Sequence, residues 1–526
     1  MADFRIRKNT IALAAVCLAS LMFGLEISSV PTALPVLAKV LYGNFQQMQW
    51  IMNAYTIACT TVLMAAGTLA DRFGRKRLFI VSLFLFGITS LICGLAHDAP
   101  VLIVSRFLQG MSGGTMLICH IAVLSHQFQE GRERSRAFGW WGVIFGFGLG
   151  FGPIIGGMIV AVLNWRWIFL IHVPIAVLTL ALVVSGVQES KDPQAKKLDI
   201  PGIVTLSLAT FGFTYFITQG PDLGFTSLAA LGVLAASVLS FLIFIWVEKI
   251  NPHPMFDFSV FRIRNFSGAI FGSIGMNFSF WPFMIYLPIY FQSGLGYGSV
   301  TAGLSLLAYT LPTLVIPPLG ERLALRYHAG IVIPIGLFTI GLGLLLMKYG
   351  SSVAHASWLT MLPGSLLAGV GLGLTNTPVT NTTTASVSSD RAGMASGIDM
   401  SARLITLAIN IAMMGFILVE GISSSLKSAL PGTLQASQLH ALAEATAAGN
   451  ISSLRETSPE LFSLASYGAV FHGALVHGFG LVMLYGGVGV WILAALSFVV
   501  FGSRKASFDT SDVAISDIQG SELTHS

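Results

Sequence analysis

The stretch IALAAVCLASLMFGLEISSVPTAL (residues 11–34) is an apolar run of membrane-spanning length. A helix rises about 1.5 Å per residue and the hydrocarbon core of a bilayer is about 30 Å thick, so this run can cross it. Glu26 lies inside the run, about 22 Å along the helix from Ile11. An ionisable group at the centre of such a helix costs about 2.5 kcal/mol or more, so Glu26 needs a partner, a wet cavity or a proton.

The composition extends this conclusion to the whole chain of 526 residues, of which 54% are hydrophobic and 10% charged. Soluble domains average about 25% charged residues, so the chain is predicted to be an all-α polytopic membrane protein. The first run lacks a small-residue cleavage site and many spans follow it, which predicts a retained helix and not a signal peptide.

Reading the apolar runs between polar breaks predicts about fourteen transmembrane helices. An even number of spans puts both termini on the same side of the membrane. The predicted cores are residues 11–34, 49–70, 78–96, 101–123, 137–160, 167–187, 201–219, 227–247, 266–290, 300–320, 330–348, 358–378, 394–419 and 476–501.

Alternate breaks are basic, and by the positive-inside rule the basic set is cytoplasmic. The two termini belong to this set, so both are predicted to be cytoplasmic. The basic residues are Arg5, Arg7, Lys8, Arg72, Arg75, Lys76, Arg77, Arg132, Arg134, Arg136, Lys191, Lys196, Lys197, Lys249, Arg262, Arg264, Arg322, Arg326, Arg391, Arg504 and Lys505. The net charge of +5 is explained by this topology, and we expect no nucleic-acid partner.

Two polar breaks divide the helices into groups of six, two and six. The predicted domains are an N-terminal six-helix bundle (1–190), two additional linker helices (191–255) and a C-terminal six-helix bundle (256–505). The C-terminal bundle is predicted to carry a long outward loop at 420–475. The polar residues 506–526 are predicted to form a disordered cytoplasmic tail.

The segment GTLADRFGRKRL (67–78) fills the basic turn between spans 2 and 3. Arg and Lys alone would satisfy the positive-inside rule, but the ordered Gly67, Asp71, Arg72, Gly74 and Arg75 favour a specific inter-helix latch. Asp71 is expected to pair with Arg75 or to accept from a helix N-terminus. This segment resembles the signature loop of the major facilitator superfamily, which implies a cytoplasmic gating role for the five residues.

A second, degraded copy of this loop is GERLALRYHAG (320–330), between spans 10 and 11. Leu325 stands where the acidic residue would be. Paired copies in the two six-helix groups are typical of an internal repeat, so we predict the major facilitator fold with about 14 helices arranged as 6+2+6.

Arg106 lies in span 4, in LIVSRFLQGMSGG (102–114). An arginine near a helix end can snorkel to the headgroups. The segment also resembles the superfamily's span-4 motif, in which the arginine takes part in proton coupling. Arg106 and Glu26 are at comparable depth and are expected to pair.

Span 5 contains GFGLGFGPIIGG (146–157), in which glycines recur every fourth residue and allow close helix packing. The pattern resembles the antiporter signature of exporters in this superfamily, which uptake symporters usually lack. It comprises Gly148, Gly152, Pro153, Gly156 and Gly157.

Three further segments narrow the resemblance to the fourteen-helix drug:proton antiporters of the EmrB/QacA type. They are LEISSVPTALP (25–35), with Glu26 in place of the usual Asp, WIMNAYTIA (50–58) and WRWIFLIHVPI (165–175). His172 departs from the usual Asn of that family. In SGIDMSARLITLAIN (396–410) Ile405 and Thr406 replace a typical Gly-Gly, so the resemblance is weaker in the last third.

Asp399 and Arg403 lie one helical turn apart and are expected to form an i, i+4 pair. This pair is a candidate coupling site or an internal salt bridge. Aromatic and amide side chains suit poorly discriminating recognition of amphipathic molecules. The predicted substrate cavity comprises Trp50, Tyr55, Asn277, Phe280, Trp281, Tyr286, Tyr309 and Asn376.

The resemblance implies a proton-coupled antiporter of the inner membrane that exports amphipathic drugs, including cationic ones, by alternating access. Its partners are then a small-molecule substrate, protons and membrane lipid, it needs no cofactor beyond the proton gradient, and a monomer is the expected functional unit. No catalytic set or metal-ligand spacing stands out, so no enzyme activity is expected. A dedicated metabolite or siderophore exporter and a nutrient-uptake symporter stay open, as does a periplasmic adaptor with an outer-membrane channel.

Overall fold

The computed structural model describes residues 2–128, 131–191, 199–252, 254, 257–353, 355–387, 392–430, 435–449 and 467–502. The chain in these ranges folds into α-helices with short connections, in agreement with the predicted all-α class. The helices are α1 (Ala2–Val40), α2 (Phe45–Phe73), α3 (Arg75–Leu95), α4 (Ala99–Gln127), α5 (Gly131–Val162), α6 (Arg166–Leu170), α7 (His172–Gly186), α8 (Ile200–Leu223), α9 (Leu228–Ile250), α10 (Arg264–Ile289), α11 (Ser299–Thr310), α12 (Pro312–Val315), α13 (Pro317–Tyr327), α14 (Ala329–Ser351), α15 (Trp358–Ala385), α16 (Ala392–Ala429), α17 (Ala436–Ala447) and α18 (Tyr467–Phe501).

Twelve helices in the described ranges are long and apolar enough to cross a membrane. The consecutive helices α11 to α13 meet the same criteria when taken together, and they bend by 44° where Ile316 precedes Pro317. Proline explains the break, because it lacks the N–H that would continue the helix. The 29-residue helix α2 stands at the position predicted for the second span. The chain is therefore a multi-pass membrane protein.

The helices run between two ends of the bundle, which we call the basic face and the opposite face. The basic face is the end where α1 begins and where α2 meets α3 at residues 73–75. The opposite face is the end where α1 meets α2 at residues 41–44. At the basic face, Gln127 at the end of α4 donates to Asn9 of α1 and to the Gly186 carbonyl at the end of α7.

The internal repeat predicted from the two loops has a backbone counterpart. Gly74, between α2 and α3, has a φ of +110°, and His328, between α13 and α14, has a φ of +71°. The two residues align when Leu325 is placed opposite Asp71. A positive φ is ordinary for glycine but uncommon for a residue with a side chain, so its occurrence in His328, at the position that matches Gly74, supports equivalent turns in the two halves.

The helices α8 and α9 pack on each other at the periphery of the bundle. Ser237 and Ser240 of α9 donate to the carbonyls of Ala209 and Thr205 in α8, at 2.7 and 2.9 Å. The pair contacts both halves through aromatic rings. On the N-terminal side, the ring centroids of Trp50 in α2 and Phe211 in α8 are 5.6 Å apart. On the other side, Phe225 lies 5.3 Å from Phe416 of α16.

The predicted outward loop at 420–475 is largely helical where it is described. Helix α16 continues to Ala429 because an apolar row, with Leu418, Ile422 and Leu426 fully buried at intervals of four residues, persists beyond the predicted end at residue 419. Helix α17 then lies across the opposite face, and α18 begins at Tyr467. Residues 450–466 and the predicted tail at 506–526 lie outside the described residues.

Hydrogen bonds join the two halves between the middle of the bundle and the opposite face. Gln49 of α2 donates to the Ile411 carbonyl at 3.0 Å, and Gln292, after α10, donates to the Thr32 carbonyl at 2.9 Å. Thr310, at the end of α11, donates to the Gly150 carbonyl of α5 at 2.8 Å. The structure is therefore closed towards the opposite face.

Candidate functional site

Glu26 and Arg106 form an ion pair in the interior of the N-terminal half. Arg106 donates through Nη1 to Oε1 of Glu26, and both side chains are fully buried. Removing one partner of such a pair leaves an uncompensated buried charge, which costs about 3–5 kcal/mol. The structure thus supplies the partner that Glu26 requires.

Two further hydrogen bonds hold the guanidinium of Arg106 in place. Nε donates to the Ile51 carbonyl of α2 at 3.0 Å, and Nη1 also donates to Gln109 at 2.8 Å. Gln109 in turn donates to Ser90 of α3 at 2.9 Å. These bonds connect α4 to α2 and α3. The arginine side chain therefore faces the interior of the helix bundle and does not snorkel to the headgroups.

His172 is a third polar side chain at this site, and it was not among the predicted site residues. It is the first residue of α7 and fully buried. Its Nδ1 lies 3.4 Å from Oε2 of Glu26, and its Nε2 lies 3.2 Å from the Met22 carbonyl. The sequence signal was its departure from the asparagine usual in the resembling family.

An apolar cavity lies between the two halves, beside the ion pair; the empty space there is about 490 Å³ when its open part is included. Ten of its twelve lining residues are apolar, and Thr56 and Tyr55 are the others. The lining comprises Phe23, Ile27, Met52, Tyr55, Thr56, Cys59, Trp281, Met284, Ile285, Leu404, Leu407 and Ile411. Such a lining suits an apolar or amphipathic molecule.

Tyr55 separates this cavity from the ion pair. One side of its ring lines the cavity, and the Arg106 guanidinium carbon lies 4.3 Å from the ring centroid. Phe23 and Ile27 reach the cavity from α1, whereas Glu26 between them in sequence points towards α4 and α7. The carboxylate is thus close to the cavity but does not line it.

Of the eight residues predicted to line the cavity, the structure places Tyr55 and Trp281 there. Phe280 and Tyr309 stack on each other at 4.0 Å, and the Tyr309 hydroxyl donates to the Phe280 carbonyl at 2.9 Å. Tyr286 donates to the Ile411 carbonyl. The two tyrosines direct their hydroxyls to backbone carbonyls and Phe280 stacks on Tyr309, so these three residues serve helix packing.

The other three also serve packing. Trp50 lies against Phe211 of α8 at the periphery. Asn277 donates to the Ser273 carbonyl of its own helix at 3.0 Å. Asn376 accepts from Arg403 at 2.6 Å. The sequence alone could not distinguish cavity-lining residues from helix-packing residues here, because both kinds lie on the same helices.

The glycines of span 5 bring α5 against α1. A Cβ at Gly156 would lie 2.7 Å from the Ser29 carbonyl oxygen, and one at Gly148 would lie 3.1 Å from the Leu21 carbonyl oxygen. A Cβ at Gly152 would overlap the Ser28 hydroxyl. These three positions therefore require glycine for the observed packing.

The same helix also contacts the other half. A Cβ at Gly157 would lie 2.9 Å from the Ser299 carbonyl carbon at the start of α11. A Cβ at Gly303 of α11 would lie 3.0 Å from the carbonyl carbon of Pro153. Helix α5 thus packs closely on α1 within its own half and on α11 across the interface.

A comparison of the sequence with family models matches residues 16–411 to the Major Facilitator Superfamily. The chain belongs to the major facilitator superfamily. The predicted family and fold are confirmed, and the protein is a membrane transporter.

Several relatives are drug-resistance proteins. The chain is 31% identical to "Multidrug resistance protein Stp" of Mycobacterium tuberculosis over 83% of this chain and 81% of that protein. It is 29% identical to "Tetracenomycin C resistance and export protein" of Streptomyces glaucescens, over 94% and 92% of the two chains. It is also 28% identical to "Quinolone resistance protein NorB" of Staphylococcus aureus, over 82% and 93%.

In the C-terminal half of this superfamily member, Asp399 and Arg403 of α16 form the expected i, i+4 pair, at 3.1 Å. Asp399 also accepts from Ser273 of α10, while Arg403 donates to Asn376 and to Thr380 of α15. The pair therefore joins three helices near the basic face.

The superfamily signature loop is hydrogen-bonded to the segment that follows α7. Arg75 donates its backbone N–H to the Ser190 carbonyl at 3.0 Å, and the Lys76 N–H donates to Glu189 at 3.1 Å. The N-terminus of α3 is thus capped by Glu189, which sequence reasoning missed. Position 74 requires glycine because its φ is positive. Position 67 does not, because a Cβ there would have an ordinary 3.9 Å contact with Ile118.

Two further loop residues were predicted to take part in the latch. Arg72 is exposed, with its guanidinium 5.6 Å from the Phe73 ring centroid. The Asp71 side chain lies outside the described residues.

A cluster of ionisable side chains fastens α17 to the opposite face of this superfamily member. Asp222, at the end of α8, accepts from Gln46 of α2 at 2.7 Å. His440 of α17 lies 3.8 Å from Asp222 and 4.0 Å from Glu420 of α16. Burial, and secondly the charge of Asp222, raise the pKa of Glu444 on α17 from 4.5 to about 7. The cluster joins the N-terminal half, the extra helices and the C-terminal half.

We expect the attachment of α17 to weaken as the pH rises. Protonated Glu444 is stabilised where it is buried, so this contribution is fully present below pH 4.5 and is lost as the pH rises through about 7. The difference corresponds to at most about 3 kcal/mol. Hydrogen–deuterium exchange of residues 436–447, corrected for intrinsic rates, should accelerate between about pH 5 and about pH 8. Glu444→Gln should remove this dependence, and an unchanged dependence in that variant would contradict the assignment.

Proposed function

We propose that the protein is a proton-driven exporter of amphipathic small molecules, including lipophilic cations. One observation carries the proposal: the buried pair of Glu26 and Arg106 lies directly behind Tyr55, a wall of the apolar cavity. Exchange of a proton for a substrate requires a titratable group next to the cavity that binds the substrate. The resistance and export proteins among the relatives support export as the direction.

In the proposed cycle, substrate and proton occupy neighbouring sites. The apolar lining takes the body of the substrate, and the rings of Tyr55 and Trp281 offer faces to a positive charge. A substrate that displaces Tyr55 also changes the surroundings of Arg106 and hence of Glu26. Substrate arrival thereby promotes the loss of the proton from the carboxyl group, and proton return promotes substrate release.

The two halves exchange access by rocking about the cavity. The closed opposite face and the polar, exposed Thr380 and Asn381 on the basic-face half of α15 support an arrangement that opens to the basic face. Helix α5 packs closely on α1 in its own half and on α11 in the other half, so the two halves would move against each other along α5. The signature loop and the Asp399–Arg403 pair, both near the basic face, would regulate closure there.

The positive-inside rule assigns the basic face, and with it both termini, to the cytoplasm. The inner membrane is the location that the resemblance to the drug:proton antiporters implies. Export then runs from the basic face to the opposite face. Protons that move down their gradient travel in the other direction, so antiport is the coupling that this orientation supports.

The experiment that tests the proposal is transport by purified protein in liposomes with an imposed pH gradient. The probes are ethidium, a quinolone and tetracenomycin C. We expect at least one probe to accumulate against its gradient on the acidic side, with a matching movement of protons. Accumulation that persists after an ionophore collapses the gradient, or no movement of any probe, would overturn the proposal.

Substitution of Trp281 by Ala is expected to weaken the apparent affinity for ethidium about tenfold, because loss of the ring contact is worth about 1–2 kcal/mol. Trp50→Ala is the matched control, since Trp50 packs on Phe211 away from the cavity. Its KM should stay within about twofold of the wild type. Equal effects of the two substitutions would contradict the assigned cavity.

A further inference from the structure

Two buried polar atoms face each other at the centre of the N-terminal half. They are Oε2 of Glu26 and Nδ1 of His172, 3.4 Å apart. Within the described part of the chain, neither atom has a hydrogen-bond partner. Both side chains are fully buried, so each atom would lack compensation if it did not interact with the other.

The other nitrogen of His172 determines which tautomer is present. Nε2 lies 3.2 Å from the carbonyl oxygen of Met22, which can only accept. Nε2 therefore carries a hydrogen and donates it. A neutral ring with its hydrogen on Nε2 has an unprotonated Nδ1, which can only accept a hydrogen bond.

An unprotonated Nδ1 cannot face an ionised carboxylate favourably, because both atoms are acceptors. The contact becomes favourable when one proton lies between them. That proton belongs either to an imidazolium beside a carboxylate or to a carboxylic acid beside a neutral imidazole. In both cases the pair of side chains holds one proton.

The groups around the pair allow that proton to be released. Arg106 of α4 donates to the other carboxylate oxygen, Oε1, and Tyr55 of α2 lies over the guanidinium. From α3, Phe86 presents its ring edge to His172 at 5.7 Å. Without the extra proton the cluster of Glu26, Arg106 and His172 is neutral, and with it the cluster carries one positive charge. Burial favours the neutral state and the Nδ1–Oε2 contact favours the protonated one.

We propose that His172 and Glu26 hold the exchanged proton jointly, between Nδ1 and Oε2. This inference rests on the proposed function and names a second residue of its proton site. Because His172 is on α7 and Glu26 on α1, a change in the packing of these helices separates the two atoms and removes the preference for the bound proton. Proton release then depends on helix movement as well as on the carboxyl group.

The first test needs no substrate. We expect protein labelled with ¹⁵N-histidine, studied together with the infrared carboxyl band of Glu26, to show at about pH 7 either a His172 imidazolium or a protonated Glu26. His172→Asn and Glu26→Gln identify the two signals. A neutral His172 together with an ionised Glu26 in the wild type would overturn the proposal.

The second test is the pH profile of gradient-driven ethidium transport. His172→Asn keeps Glu26 but replaces Nδ1, and the amide can donate to the ionised carboxylate. We expect the profile to move about one pH unit towards acid, that is, to a tenfold higher proton concentration. His120→Asn, at another buried histidine of the same half, is the matched control and should not move it.

An unmoved profile in His172→Asn would overturn the shared site while leaving proton coupling intact. If wild-type transport instead ignores the pH gradient, the proposed function fails. In that case the spectroscopic test still decides whether the pair holds a proton.

Discussion

Glu26→Gln is expected to reduce transport driven by a pH gradient to the leak of empty liposomes. Glutamine has the shape of glutamate, and its carbonyl can still accept from Arg106, so the fold should persist with lower stability because the buried arginine loses its counter-charge. The amide cannot bind and release a proton in the physiological range, so the link between the gradient and the substrate is lost. The measurement is ethidium accumulation in proteoliposomes with an imposed gradient.

Substrate exchange measured without a pH gradient distinguishes a loss of proton coupling from a general loss of transport. The Gln variant should still exchange labelled for unlabelled ethidium, because the cavity lining is unchanged. Glu26→Asp keeps the carboxyl group and should retain part of the driven transport. Driven transport at the wild-type rate in Glu26→Gln would exclude Glu26 from the mechanism.

Gly152→Leu is expected to lower turnover more than tenfold in protein that inserts normally. A Cβ at this position overlaps the Ser28 hydroxyl and lies 2.8 Å from the Ser28 Cβ, so a leucine forces α5 away from α1. Overpacking of this kind costs about 1–3 kcal/mol. The larger effect should fall on transport, because α5 also packs on α11 across the two halves.

The matched control is Gly142→Leu on the same helix. Nothing lies within 4 Å of a Cβ at Gly142, so a leucine there changes composition without changing packing. Substrate-exchange rates, normalised to the amount of folded protein, compare the two variants. Similar rates in both would show that close approach of α5 and α1 is unnecessary for the cycle.

The membrane fold was predictable because its signals are local. Apolar length, alternating basic breaks and the repeated loop each depend on neighbouring residues, and the bilayer fixes the span length that they must match. The glycine row of span 5 was readable for the same reason: its spacing of four residues puts Gly148, Gly152 and Gly156 on one face. The structure adds which neighbour that face contacts.

The cavity was predictable only in small part. Tyr309 and Phe280 look like ligand-binding aromatics in the sequence, but their rings stack on each other and both side chains are buried among the helices. Met284 and Leu407 line the cavity although nothing distinguishes them from other apolar residues of their helices. The rotation and crossing of helices decide between these outcomes, and a single sequence contains no direct record of them.

The sequence by itself determined that this chain spans a membrane many times, which side is basic, and that a carboxylate in the first span needs a partner. Comparable depth in the membrane also indicated Arg106 as that partner. Only the tertiary structure decided that the two side chains meet and that His172 faces the second carboxylate oxygen. These residues lie 80 and 146 positions from Glu26 along the chain. Hydrophobic length and charge bias act within one helix, whereas the environment of a buried charge is made by several helices at once.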